Sequence, residues 1–258
     1  MNNLKSMSLN FNHVAKIVFI SCLSIEAFLL LANILFNYLD ILDELYIRRI
    51  WNIARELSIP TWFSSTQTQL MGATALLIGL LQKNDRIKGG TKVTYISWIV
   101  SGCFFIWIGI DDAAEIHEKL GTALTNLNNS GADSSIEHVS FSWHTYIAPI
   151  FVLFGLYLTY FFWSELTPYN LFRYVFVGFG CWVTSQMIDF TEGLESIDET
   201  YTAIQIYLGS ESTYLVPHSF KVIEEMLEMI GTTFLWVGFL HFLAVQLKGK
   251  RIEFGSTD

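Results

Sequence analysis

Eighteen consecutive residues, Val93 to Ile110, carry no charged side chain, and the eleven that follow read Asp-Asp-Ala-Ala-Glu-Ile-His-Glu-Lys-Leu-Gly. An apolar run of that length matches the ~20 residues a helix needs to cross a bilayer core. Similar runs recur along the chain, giving six expected spans near 14–36, 61–82, 93–118, 143–163, 172–190 and 219–246. With 52% hydrophobic residues and a mean hydropathy of +0.41, the chain reads as an all-α, polytopic membrane protein. One bundle of six helices over residues 1–258 is the expected domain organisation. The first run is long and lacks an obvious small-residue cleavage site, so it reads as a retained span.

Orientation follows from the asymmetry of Lys and Arg. With both termini inside, ten of the fifteen basic residues fall on the cytoplasmic side, including Lys83, Arg86, Lys92, Arg173 and Lys248. The acids show the opposite bias, with nineteen of 24 at or beyond the outer boundary. This places the chain in the cell inner membrane with the lipid bilayer as its solvent; no nucleic-acid partner is expected. Cys22, Cys103 and Cys181 each lie within a span, which argues against a disulfide framework or a zinc knuckle.

The acids gather at one depth. Glu56 precedes the turn at Pro60; Asp111, Asp112, Glu115 and Glu118 end the third span; Asp189 and Glu192 end the fifth; Glu224, Glu225 and Glu228 follow His218 and Lys221 at the start of the last. At about 100° per residue, Asp111, Glu115 and Glu118 share one face of a continued helix, with His117 on the far side. Carboxylates at a helix C-terminus oppose the macrodipole and one another, so a positive partner is required. For Glu224 the milder explanation is favourable placement in the first turns of its helix. Exposure to water is the corresponding explanation for Glu118 and Glu192.

Arg55, Lys119 and Lys221 are too few to neutralise these acids, which points to a divalent metal. Oxygen-rich ligands with a few imidazoles and no thiolates suit iron, manganese, magnesium or calcium better than zinc or copper. The expected ligands are Glu56, Asp111, Asp112, Glu115, Glu118, Asp189, Glu224, Glu225 and Glu228, with His117, His144 and His218 as nitrogen donors. Asp111, Asp189 and Glu225 are expected to converge. Individual catalytic residues are not assigned. The leading expectation for function is a metal-dependent enzyme acting on a lipid or other apolar substrate. Its alternatives are a cation or proton transporter, or a non-catalytic membrane subunit or sensor.

Four further features are legible. The second span opens with Thr61-Trp62-Phe63-Ser64-Ser65-Thr66-Gln67-Thr68-Gln69, too polar to face lipid all round. Residues 37–60 read as an amphipathic interfacial helix. Glu26, alone within the first span, is expected to hydrogen-bond to a neighbouring helix. Trp51, Trp62, Trp98, Trp143 and Trp163 read as interfacial anchors.

Glu56 ahead of Pro60-Thr61-Trp62, Asp111-Asp112 with His117-Glu118, and Glu224-Glu225 with Glu228 together resemble a group of bacterial multi-pass membrane proteins with no assigned activity. The resemblance implies the membrane architecture and supplies no chemistry. That group often shows Asp-Glu where this chain has Asp111-Asp112.

Overall fold

The structure is a computed structural model describing residues 11–84, 86–87, 91–116, 119–121, 123, 148–192, 197–208 and 214–248, and every regular element among them is helical. In chain order these are α1 (Phe11–Asn33), a π-helical turn (Ile34–Tyr38), α2 (Leu45–Ile50), α3 (Ile59–Lys83), α4 (Lys92–Ala114), α5 (Ala148–Leu166), a 3₁₀ turn (Thr167–Tyr169), α6 (Phe172–Glu192), α7 (Ile197–Leu208) and α8 (Leu215–Leu247). Among the described residues, four segments are long and apolar enough to cross a membrane: Phe11–Tyr38, Lys92–Ala114, Ala148–Tyr169 and Leu215–Leu247. Helices α3 and α6 have 25 and 21 residues and coincide with the other two expected spans, but they are less apolar.

Helix starts follow local chemistry. Ser58 caps α3 by accepting from the Thr61 amide, with Pro60 in the first turn where its missing N–H costs nothing. Thr91 caps α4 in the same way. The expected amphipathic helix over 37–60 is much shorter, confined to Leu45–Ile50. What anchors this stretch is Asn33, buried at the end of α1, whose Oδ1 accepts from Asn37 Nδ2 and the Ile53 amide, both at 3.2 Å.

Helix α8 is the axis, packing on α1, α3, α6 and α7. Without a hydrophobic force between helices in lipid, association depends on close packing, which small residues permit. Glycines seven apart supply it. A Cβ on Gly72 or Gly102 would stand 2.8 Å from the carbonyl oxygen of the other, and one on Gly109 would meet the Ser65 carbonyl at 2.7 Å. In the second pair, α6 with α8, Gly178 and Gly231 are related in the same manner, each 2.8 Å from the other's carbonyl, and Gly238 abuts Tyr174.

Between the pairs lies an aromatic core. Trp98 is fully buried, with the rings of Phe161, Phe162, Phe239 and Phe242 at 5.2–5.5 Å. This corrects its expected place at the interface. Trp62 and Trp163, exposed at 68% and 58%, keep the outward position expected of anchors. Trp143 lies outside the described residues.

Candidate functional site

Helix α8 has 33 residues and is about 50 Å long, against ~30 Å for a bilayer core. The helix is longer than that core, and its first turns carry the charged residues. Lys221, Glu224 and Glu225, spaced i, i+3 and i+4, share a face. The Lys221 ammonium lies 2.6 Å from Glu224 Oε1 and 3.8 Å from Glu225 Oε1. Across the interface, Asp189 near the end of α6 places Oδ1 at 3.9 Å. The Glu224 side chain is 4% exposed, whereas Lys221 is 31% exposed.

A further set of acids adjoins this one. Glu225 interacts electrostatically with Glu228, Asp112 and Glu224 as well as Lys221. Asp112, in the last turn of α4, interacts with Glu228, Glu56 and Asp111 and is hydrogen-bonded to Ser64 of α3. Glu228 Oε1 accepts from Ser185 Oγ at 2.8 Å and Gln186 Nε2 at 3.1 Å, both on α6. Asp112 Oδ2 and Glu224 Oε2 are buried without a hydrogen-bond partner. Asp189 and Glu225 thus meet at Lys221, while Asp111 joins through its neighbour Asp112.

A family model, described as a domain of unknown function (DUF8692), matches residues 22–243. The chain belongs to the DUF8692 family. The matched stretch runs from α1 into the last turns of α8 and includes every acid named above. No curated protein and no solved structure matches the chain.

Several expectations are corrected in this DUF8692 member. The shared face of Asp111, Glu115 and Glu118 required a helix continuing to residue 118, but α4 stops at Ala114 and Glu115 turns left-handed at φ 53°. Glu115 consequently leaves the cluster and pairs with Lys119 at 3.7 Å. Glu224 lies nine residues into α8, beyond the single turn over which a helix dipole acts, so dipole compensation does not explain it. His218 Nδ1 contacts the Tyr214 hydroxyl at 3.0 Å, the Tyr214 and Tyr38 rings lie at 4.6 and 5.2 Å, and Nε2 is buried without a hydrogen-bond partner. His117, Glu118, His144 and the Glu192 side chain lie outside the described residues.

The metal expectation meets a specific difficulty. Among the described residues, no three His, Cys, Asp or Glu side chains are spaced to hold one ion. The positive charge inserted between Asp189, Glu224 and Glu225 belongs to Lys221. An ammonium satisfies carboxylates as a point charge with three donors and needs no converging ligand set.

Buried Ser64, Ser65, Gln67 and Thr68 fulfil the expectation that the start of α3 faces protein, and Ser65 Oγ donates to the Gly109 carbonyl. Their partners on α4 and α8 were not apparent, because hydroxyls and amides in an apolar helix carry no pairing signal. The glycine register was visible as Gly72/Gly79, Gly102/Gly109 and Gly231/Gly238, each seven apart.

Proposed function

We propose that this protein moves cations, protons foremost, across the membrane, using the carboxylate cluster as its binding layer. The observation that carries the reading is the balance of charge. Asp112, Glu224, Glu225 and Glu228 form a run of interacting acids in which, among the described residues, Lys221 is the ammonium paired with Glu224 and Glu225, while uncharged Ser64, Ser185 and Gln186 donate to Asp112 and Glu228. Such a group cannot remain fully ionised away from water, so it takes up protons or mobile cations. Beneath it, polar side chains continue into the bundle at Gln67, Thr232 and Thr233. The basic residues at the opposite end favour an orientation with both termini in the cytoplasm and the cluster outside, in the inner membrane.

The test is proton flux into liposomes containing purified protein and a pH-sensitive dye, driven by a potassium–valinomycin potential. Flux above that of empty liposomes, reduced at least tenfold by Glu225→Gln, is expected. Flux equal to that of empty liposomes in the parent protein overturns the proposal.

An open apolar groove of about 530 Å³, lined by Ala148, Pro149, Val152, Leu153 and Phe190, favours a second reading. Phe190 directly follows Asp189, which would place an acyl chain beside the acids and suits an enzyme with a lipid substrate. Elemental analysis of purified protein tests the metal that such an enzyme was expected to need. A ratio near two per chain favours it, and a ratio near zero removes its support.

A further inference from the structure

Glu26 stands apart from the Lys221 cluster. It lies in the middle of α1, 1% exposed, where α1 meets α3 and α8. One carboxyl oxygen is fully engaged: Oε1 accepts from Thr233 Oγ1 at 2.5 Å and from Gln67 Nε2 at 3.1 Å. Gln67 Nε2 also reaches Thr233 Oγ1 at 2.5 Å, so the three side chains form a closed triangle. The other oxygen, Oε2, is buried and has no partner, and neither has Gln67 Oε1. The junction thus holds two bare acceptors that lack a donor.

Among the described residues, the groups facing Glu26 are uncharged. Helix α3 presents Gln67, α8 presents Thr233, and α1 contributes the Cys22 thiol, which interacts with both. An ionised carboxylate here would place a full charge in the membrane interior with no cation beside it, at a cost of several kcal/mol. The triangle is closed by direct hydrogen bonds, which leaves no gap of ion size between its members.

We propose that Glu26 is an intramembrane proton-binding site, carrying its proton on Oε2 in the resting protein. The step is association of one proton with one carboxylate oxygen, with no change in oxidation state. The proton neutralises the buried carboxylate and turns its unpartnered Oε2 from a bare acceptor into a hydroxyl. Along its helices the site is offset from the acids of the cluster by a few residues: Gln67 is three residues beyond Ser64, which is hydrogen-bonded to Asp112, and Thr233 is five beyond Glu228. At about 1.5 Å per residue these axial offsets are roughly 4.5 and 7.5 Å.

Infrared spectroscopy of purified protein at neutral pH tests this directly. A protonated carboxyl shows a C=O stretch, distinct from carboxylate bands, that shifts in D₂O. The parent is expected to show a component of this band that Glu26→Gln removes. Thr233→Val, which deletes one donor to Oε1 while conserving volume, is expected to move the same component to higher frequency, so the test survives if Glu26→Gln fails to fold. Spectra in which Thr233→Val leaves the band unmoved and folded Glu26→Gln removes nothing overturn the proposal, as does a component that disappears when sodium replaces potassium. The measurement reads protonation and not transport. Absent proton flux with the Glu26 component present would remove the proposed function alone.

Discussion

Lys221 and Glu224 are three residues apart on one helix, and their charged atoms are 2.6 Å apart with the carboxylate almost wholly buried. Replacing Lys221 with Met therefore strands Glu224 beside Glu225 and Asp189. Breaking a buried pair costs about 3–5 kcal/mol. Since Lys221 is about a third exposed, a loss of about 2 kcal/mol is expected, read as a lower melting temperature in detergent. Adding Glu224→Met to Lys221→Met should restore part of it, and a double-mutant cycle with no coupling would contradict the pairing.

Asp112 should respond with the opposite sign. It interacts with Glu228, Glu56 and Asp111, and its Oδ2 has no hydrogen-bond donor. Asp112→Asn removes like-charge repulsion and is expected to raise stability by some tenths of a kcal/mol. A chelator should leave both proteins unchanged. Chelator-sensitive melting of the parent would restore the metal expectation.

The glycine contacts predict a contrast between two helices. Gly102→Leu places a side chain against the backbone of α3, and should cost about 3 kcal/mol, the upper end of overpacking. Gly155→Leu on α5 meets nothing within 4 Å and should be neutral or stabilising by up to about 1 kcal/mol through helix propensity. Melting curves of the two variants decide the matter.

Leu57 is left-handed at φ 58° and 90% exposed, immediately after Glu56. A left-handed L-residue costs roughly 1–2 kcal/mol, which glycine avoids at some cost in chain entropy. Leu57→Gly is expected to raise stability by up to about 1 kcal/mol. A fall would show that the Leu57 side chain makes a compensating contact.

Orientation is open to labelling. In a cysteine-free background, Asn84→Cys and Tyr207→Cys, both at exposed positions, should react with a membrane-impermeant thiol reagent from opposite sides. Reaction from the same side rejects the topology inferred from the basic residues.

Helix positions were legible because apolar runs of about twenty residues have few physical alternatives in lipid. The start of α3 facing protein was legible for the same reason, from Ser64 to Thr68. Of the three acids expected to converge, Asp189 and Glu225 both reach Lys221, and Asp111 interacts with Asp112 beside them. The end of α4 was not readable: Glu115 in a left-handed turn interrupts a pattern that continues helically on paper. Nor was the role of Lys221, because one ammonium's partners depend on how α6 meets α8. Glu26 was legible as a hydrogen-bonded acid, but its partners Gln67 and Thr233 lie 41 and 207 residues away.

The glycine contacts also determine where the bundle can yield. Backbones touching at Gly72 and Gly102, and again at Gly178 and Gly231, leave α3 with α4 and α6 with α8 as two stiff slabs with little freedom to slide internally. Asp112 and Ser64 belong to one slab; Asp189, Lys221, Glu224 and Glu228 belong to the other. Asp112 interacts with Glu228 and Glu225 across the seam between the slabs, so a charge gained or lost on Asp112 acts on one slab against the other, whereas the pairs made by Lys221 lie within a single slab.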